Sequence, residues 1–282
     1  MALVTLARGQ NATLTMPAPF ASNTKWTGMQ WQTDMNMFDV TASGDSTSFF
    51  NNDCLGDISG TAVGTPYDGT SYGRSCNVSL DLWLNGTSTD IAFKAYNFRF
   101  IKNFPMVNVT AIGDTEAKWD YGRPNFSFAA SGYINTTSAG LDDLTAGGLI
   151  NPVSSTVGPG RVMDMSADID EVGVISTSGS SSELRVHRWS KTVPFRKGGP
   201  VEVSFSAMWS GANTYAVTAT GFSSTNDINL ATSDTTPDSG DIAIVMNDGV
   251  TVTHQIIINR VEIAADGRAG SPVSTTVKWK FT

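Results

Sequence analysis

The sequence predicts an all-β protein with two similar β-sandwich or barrel domains and at most one or two short helices. Three observations carry this expectation. Apolar and polar residues alternate in short runs, as strands with one buried face require. Gly, Pro, Asn and Asp clusters separate those runs. No stretch keeps a 3.6-residue apolar period over three helical turns.

Taken in order, Ile58-Ser-Gly-Thr-Ala-Val63 and Asn77-Val-Ser-Leu-Asp-Leu-Trp-Leu84 are the first well-defined strands. Asn125-Phe-Ser-Phe-Ala-Ala130 and Val201-Glu-Val-Ser-Phe-Ser-Ala-Met-Trp209 repeat the alternation, as do Thr251 to Ile258 and Thr275 to Phe281. β-Branched and aromatic residues fall on one side of each run and polar residues on the other. Asn85-Gly86 and Asp248-Gly249 sit between apolar runs and predict hairpin turns. Asn51 to Gly56 and Leu141 to Leu149 are the places where a short helix would fit.

The 282 residues are enough for one large β domain or two of ordinary size, with a core that needs no disulfide support. Only 16% of residues are charged, so neutral polar side chains must cover much of the surface. Such surfaces pack against one another without desolvating many ions. The formal charge of −8 opposes tight binding of a phosphate backbone. It suits equally a surface past which DNA must slide.

Residues 136–160 carry small side chains, two prolines and paired glycines. We read 1–140 as a first β domain, 141–160 as a linker and 161–282 as a second β domain. Residues 223–240, rich in Ser, Thr, Asp and Asn, predict a long exposed loop, and Ser43 to Gly56 a second. Val40-Thr-Ala-Ser-Gly-Asp45 recurs as Val109-Thr-Ala-Ile-Gly-Asp114. Asn259-Arg-Val-Glu-Ile-Ala-Ala-Asp-Gly267, with the strand after it, resembles the second copy. The grammar of strand, Gly-Asp turn, loop and strand is shared although few residues are identical.

Nothing in the sequence assembles into a catalytic, cofactor or metal site. His187 and His254 each lack a second His or a Cys at ligand spacing. Cys54 and Cys76 are too few for a disulfide framework and match no metal spacing, and whether they are bonded is open. Asp164, Asp168, Asp170 and Glu171 form the densest acidic patch but miss the calcium-loop spacing. Gly44-Asp45-Ser46 lacks the context of a nucleophile elbow, and its partner Gly113-Asp114-Thr115 favours a turn. Five of the seven tryptophans lie in or beside strands, where burial in a core or interface is usual. Trp26 and Trp31 are the two without an obvious place. The apolar run from Met1 to Arg8 is too short for a signal peptide, and no run approaches the ~20 apolar residues of a membrane helix.

Phe38-Asp-Val-Thr-Ala-Ser-Gly-Asp-Ser46, followed by Leu55-Gly-Asp-Ile-Ser-Gly60, resembles the opening strand, loop and next strand of bacteriophage tail tube proteins. Ile257 to Phe281 is similar to that family's closing hairpin, and Phe98 to Ile134 looks like the same hairpin closing an earlier domain. The resemblance implies a structural virion protein that self-assembles into stacked rings, forming a tail tube for DNA delivery. It implies no enzymatic activity and no cofactor. The implied partners are the chain itself, in trimeric or hexameric rings, and other tail proteins at the tube ends. DNA would pass transiently without specific binding, and no membrane is involved. The implied location is the virion tail, assembled in the host cytoplasm. A capsid decoration or tail-terminator protein, or a carbohydrate-binding adhesin sandwich of the virion, are the alternatives.

Overall fold

The computed structural model describes residues 12–17, 25–34, 37–39, 49–51, 57–65, 76–84, 87–114, 117–134, 162–169, 173–178, 184–195, 198–209, 216–220, 237–245, 250–266 and 274–281. These form eighteen strands and, among the described residues, no helix. In chain order they are β1 (Thr13–Thr15), β2 (Lys25–Asp34), β3 (Met37–Asp39), β4 (Phe49–Asn51), β5 (Asp57–Thr65) and β6 (Cys76–Leu84). Then come β7 (Thr87–Asn103), β8 (Met106–Asn108), β9 (Trp119–Tyr121), β10 (Asn125–Ile134), β11 (Val162–Ile169) and β12 (Gly173–Ser178). The last are β13 (Leu184–Thr192), β14 (Glu202–Trp209), β15 (Ala216–Thr220), β16 (Ser239–Val245), β17 (Thr251–Asp266) and β18 (Ser274–Phe281). The chain is all-β, as the alternation requires.

Fourteen of the strands join one antiparallel sheet, while β3–β4 and β8–β9 are separate two-stranded ribbons. The presumed loop from Ser43 to Gly56 therefore includes a strand, Phe49–Asn51, paired with Met37–Asp39. Leu84 pairs with Thr87; Asn85 and Gly86 lie outside the described residues, as do 141–160 and both stretches considered for helix beyond Asn51.

Two strands organise the sheet. One edge of β7 pairs with β6 over residues 87–95 and with β17 over 97–103, while β10 runs along its other edge. β17 behaves the same way: one edge pairs with β16 over 251–257 and with β7 over 260–266, and β18 takes the other. The switch in β17 is continuous, since the Ile258 amide donates to the Asp238 carbonyl at 2.8 Å and the Phe104 amide to the Asn259 carbonyl at 2.8 Å. Each long strand carries a bulge at the switch, where the ladder to β10 skips Tyr96 and the ladder to β18 skips Asn259. A bulge bends a strand and increases its twist, which is what a change of neighbour needs.

The correspondence continues outward on both sides of the β7–β17 ladder. β10 pairs with β14 and then β13; β18 pairs with β5 and then β2. The β13–β14 ladder skips His187, and the β2–β5 ladder skips Thr27, at matching positions. β11 pairs with β6, and β1 with β16. Strands from before residue 141 thus alternate with strands from after residue 160 across the sheet. Two curled sets result. In the first, β7–β10–β14–β13–β11–β6 is a closed cycle, sealed by Val162↔Arg185 and Met163↔Leu184. In the second, β17–β18–β5–β2 and β17–β16–β1 approach one another without a β1–β2 ladder.

One face of the sheet is the core. Phe98 and Phe100 on β7, Phe126 and Phe128 on β10, and Phe205 on β14 are buried. Their rings pack tilted, with centroids 5.1 Å apart for Phe98–Phe128, 6.0 Å for Phe100–Phe126 and 5.3 Å for Phe128–Phe205. Each pair adds about 0.5–1.5 kcal/mol beyond its burial. Across the β7–β17 ladder the same face continues through Val261, Ile263, Val277 and Trp279. Trp279 lies flat over Gly60, where a Cβ would overlap the indole atoms Cε2 and Cζ2. Only a residue without a side chain lets that ring reach the strand beneath it.

Trp279→Ala is expected to cost about 3–5 kcal/mol, and Gly60→Val about 1–3 kcal/mol by overpacking, each read from the urea midpoint. Gly28→Ala is the control, because a Cβ there meets nothing within 4 Å; its midpoint should move by less than about 0.5 kcal/mol.

Candidate assembly surfaces

The opposite face of the sheet is polar and weakly charged. Its registers place Ser190, Ser204, Ser131 and Asn97 in one row. A second row runs Ser127, Ile101, Glu262, Thr276 and Val63. Ser190 and Ser204 are hydrogen-bonded, Oγ to Oγ, at 2.6 Å. Hydroxyls of this kind satisfy one another, so the face stays wet without many ions.

Three of the charges it carries meet where β7 crosses to β17. Arg99 grips Glu262 with two bonds, Nε to Oε1 at 2.5 Å and Nη2 to Oε2 at 3.0 Å. Arg260 Nη2 adds a third, to Oε2 at 2.7 Å. The Glu262 side chain is only 15% exposed. Burial pushes its carboxyl upward, but the hydrogen bonds from Arg99 and Arg260 and their charges outweigh this and hold it below its ordinary value of 4.5. The bidentate geometry makes this a strong version of a cross-strand ion pair.

On the core face, Lys102 is 3% exposed between Phe98, Phe100 and Phe104 in the strand phase. Its Nζ sits 5.1 Å from the Phe104 ring centre and 6.0 Å from that of Phe126. It lines a small cavity with Asp238, Ile258 and Arg260 at the fork where β17 changes partner. Ring faces attract a desolvated ammonium by about 2 kcal/mol.

The two ends of the sheet differ in sequence but share a property. Beyond β7, the β8–β9 hairpin leads to Ile112, whose side chain is fully exposed at 108%. This tip is held rigidly. Asn108 Oδ1 accepts from the Thr110 amide, Thr110 Oγ1 from the Lys118 amide, and Asp114 Oδ2 from the Ala111 amide, all within 2.9 Å. Lys118 Nζ reaches Asp114 Oδ1 at 2.5 Å, and Gly113 takes φ 101° to complete the turn. The Lys118 bond, then the Ala111 amide, lower the Asp114 pKa. Because β13 runs opposite to β14, their connection lies at the other end of the sheet. There Phe195 is 91% exposed, beside Val193.

The residues weighed for chemistry do not converge. His187 is the bulge residue of β13 and is exposed; His254 is exposed on β17, edge-on to Phe281 with centroids 4.8 Å apart. Asp164 lies opposite Asp81 and Asp168 opposite Asn77 on the β11–β6 ladder, while Asp170 and Glu171 are outside the described residues. Cys76 begins β6; Cys54 and Gly44-Asp45-Ser46 also lie outside. Among the described residues no group of three or more His, Cys, Asp or Glu is placed to hold a metal ion. Trp119 lies under Lys280, whose Nζ is 4.4 Å from its ring centre. Trp26 and Trp31 find a place together. The skipped Thr27 resets the phase of β2, so both face the same side and line an open cleft between β1 and β2.

No protein-family model matches the chain, and no curated protein does. Among solved structures it is similar to a chain from the virion of a native gene transfer agent particle: 13% identity, 51% of this chain and 95% of that one, TM-score 0.32. A chain from the tail of an empty gene transfer agent particle gives 13% identity over 51% and 95%, TM-score 0.33. One from the anti-feeding prophage baseplate gives 11% over 51% and 93%, TM-score 0.35.

The Glu262 carboxyl gives a pH signature with a defined sign. Its folded pKa lies below its unfolded one, so its stabilisation is whole above about pH 4.5 and lost as pH falls through the lower folded value. Urea midpoints should therefore drop on acidification below about pH 4, and Glu262→Gln should flatten that drop while lowering stability at pH 7 by about 1–2 kcal/mol.

Proposed function

We propose that the chain is a structural subunit of a phage-like tail, that it self-assembles into stacked rings around a channel for DNA, and that its two halves descend from one duplicated tube domain. It has no catalytic role in this reading. The observation that carries the proposal is the pair of exposed apolar side chains, Ile112 and Phe195, at opposite ends of one sheet. Ile112 shares its hairpin with Val107 and Val109, which are also exposed, and apolar side chains grouped on one element mark an interaction surface. Contacts between unlike ends repeat without closing on themselves, which builds a stack.

Two further features support it. The matched bulges at Tyr96 and Asn259, and at Thr27 and His187, are what a duplicated ladder leaves behind. The polar face is weakly charged, Glu262 offsets one of the two arginines that grip it, and the chain's net charge of −8 opposes retention of a DNA backbone.

Electron microscopy of the purified protein is expected to reveal rings or tubes with an open centre, and a sealed monomer at all concentrations would reject the reading. Ile112→Asp and Phe195→Asp should each leave the melting temperature within about 2 °C while shortening stacks to isolated rings.

A further inference from the structure

Charge is unevenly placed along the chain. The total is −8, yet residues 184–201 contain Arg185, Arg188, Lys191, Arg196 and Lys197 and no carboxylate. Arg196 and Lys197 belong to the β13–β14 connection, which runs into Glu202 at the start of β14. The β8–β9 hairpin, residues 106–121, has the opposite balance, with Asp114, Glu116 and Asp120 against Lys118 alone. Asp114 and Lys118 are ion-paired with each other. The hairpin's excess of negative charge is therefore that of Glu116 and Asp120.

The exposed apolar side chains fall at the same two places. Val107, Val109 and Ile112 are on the hairpin, and Val193 and Phe195 on the connection. Both are also shaped in advance. The Asn108, Thr110 and Asp114 side chains brace the hairpin turn. In the connection the Phe195 amide donates to the Val193 carbonyl at 3.1 Å and Gly198 takes φ 57°. Gly199 comes so near Pro194 that a Cβ would lie 3.1 Å from the ring's Cγ. A surface already shaped loses little conformational entropy when it docks. The β10–β14 register puts the two at opposite ends of one ladder, Ser127↔Met208 toward the hairpin and Tyr133↔Glu202 toward the connection. A copy displaced along the strands thus brings its acidic end to the basic end of the next.

We propose that the β8–β9 hairpin of one copy docks on the β13–β14 connection of a second copy, an acidic and apolar surface against a basic and apolar one. This deepens the stacked-ring reading and rests on it. Charge supplies the direction, because hairpin on hairpin or connection on connection sets like charges together. The exposed apolar side chains supply the area to be buried.

Two charge-reversed variants test the contact. Glu116→Lys with Asp120→Lys leaves both ends basic, and Arg196→Glu with Lys197→Glu leaves both acidic. Each should form rings in the electron microscope but stacks at least about ten-fold shorter than wild type. Mixing preformed rings of the two should restore long stacks, since every acidic end then meets a basic one. Wild-type stacks should shorten as NaCl rises toward about 1 M, where the screening length falls to about 3 Å. This salt series decides the matter independently of how the variants fold. Variants that stack like wild type, a mixture that stays as single rings, or wild-type stacks that NaCl leaves unchanged overturn the contact and leave the ring reading standing. Wild type that retains a DNA duplex at about 0.15 M salt, where Arg196→Glu with Lys197→Glu loses the DNA and still stacks, assigns the basic end to nucleic acid and also overturns it. Wild type that never forms rings removes the ring reading and this contact with it.

Discussion

A strand has two hydrogen-bonding edges, and in β7 and β17 one of those edges is divided between two neighbours. That division is the constraint from which the rest follows. Each long strand must bend where its partner changes, and the skipped residues Tyr96 and Asn259 provide the bend. Past the bends the divided edges pair with each other, over 97–103 and 260–266, while β10 and β18 hold the opposite edges. Phe98 and Phe100 seal this short crossing on the core side, and the Arg99–Glu262–Arg260 cluster clasps it on the polar side. Neither set of strands could curl as it does if the crossing slipped by one residue, since every side chain would change face.

The same geometry explains why charge is spent so sparingly. A chain only 16% charged has few ions to place, and Arg99 and Arg260 at the crossing share the Glu262 carboxylate. Lys102 is the exception on the apolar side. It is tolerated because its stem packs among aromatic rings and its ammonium lies near the fork, where Asp238 also lines the cavity.

Strand identity was legible in the sequence because alternation is a local signal. Asn125 to Ala130 and Thr275 to Phe281 fall within β10 and β18, and Val201 to Trp209 falls within β14 except for Val201. The likeness between Phe98–Ile134 and Ile257–Phe281 also has a counterpart in the matched β7–β10 and β17–β18 ladders. Lys102 was not singled out from the sequence, although alternation puts it in phase with Phe100 and Phe104. Pairing partners were not. Periodicity says that a strand has a buried face and nothing about which strand lies beside it, so the exchange of neighbours between the halves left no trace. Trp26 and Trp31 stood an odd number of residues apart, on opposite faces by simple counting, until the bulge at Thr27 brought them together. Ile112 sat inside a Gly-Asp turn pattern read for its backbone alone, and Arg99 and Glu262 are 163 residues apart.

The exchange of neighbours has a consequence for how the chain comes into being. β5 and β10 are made early, but the strands that cover their outer edges, β18 and β14, emerge only after residue 201 and at the very end. The leading half therefore leaves the ribosome with two long edges bare, and must wait for the trailing half before it can be finished. Folding dominated by such distant pairings is slow, and during the wait an edge is open to any neighbouring nascent chain. Lysines, bulges and neutral side chains are the features that keep such edges from joining too soon.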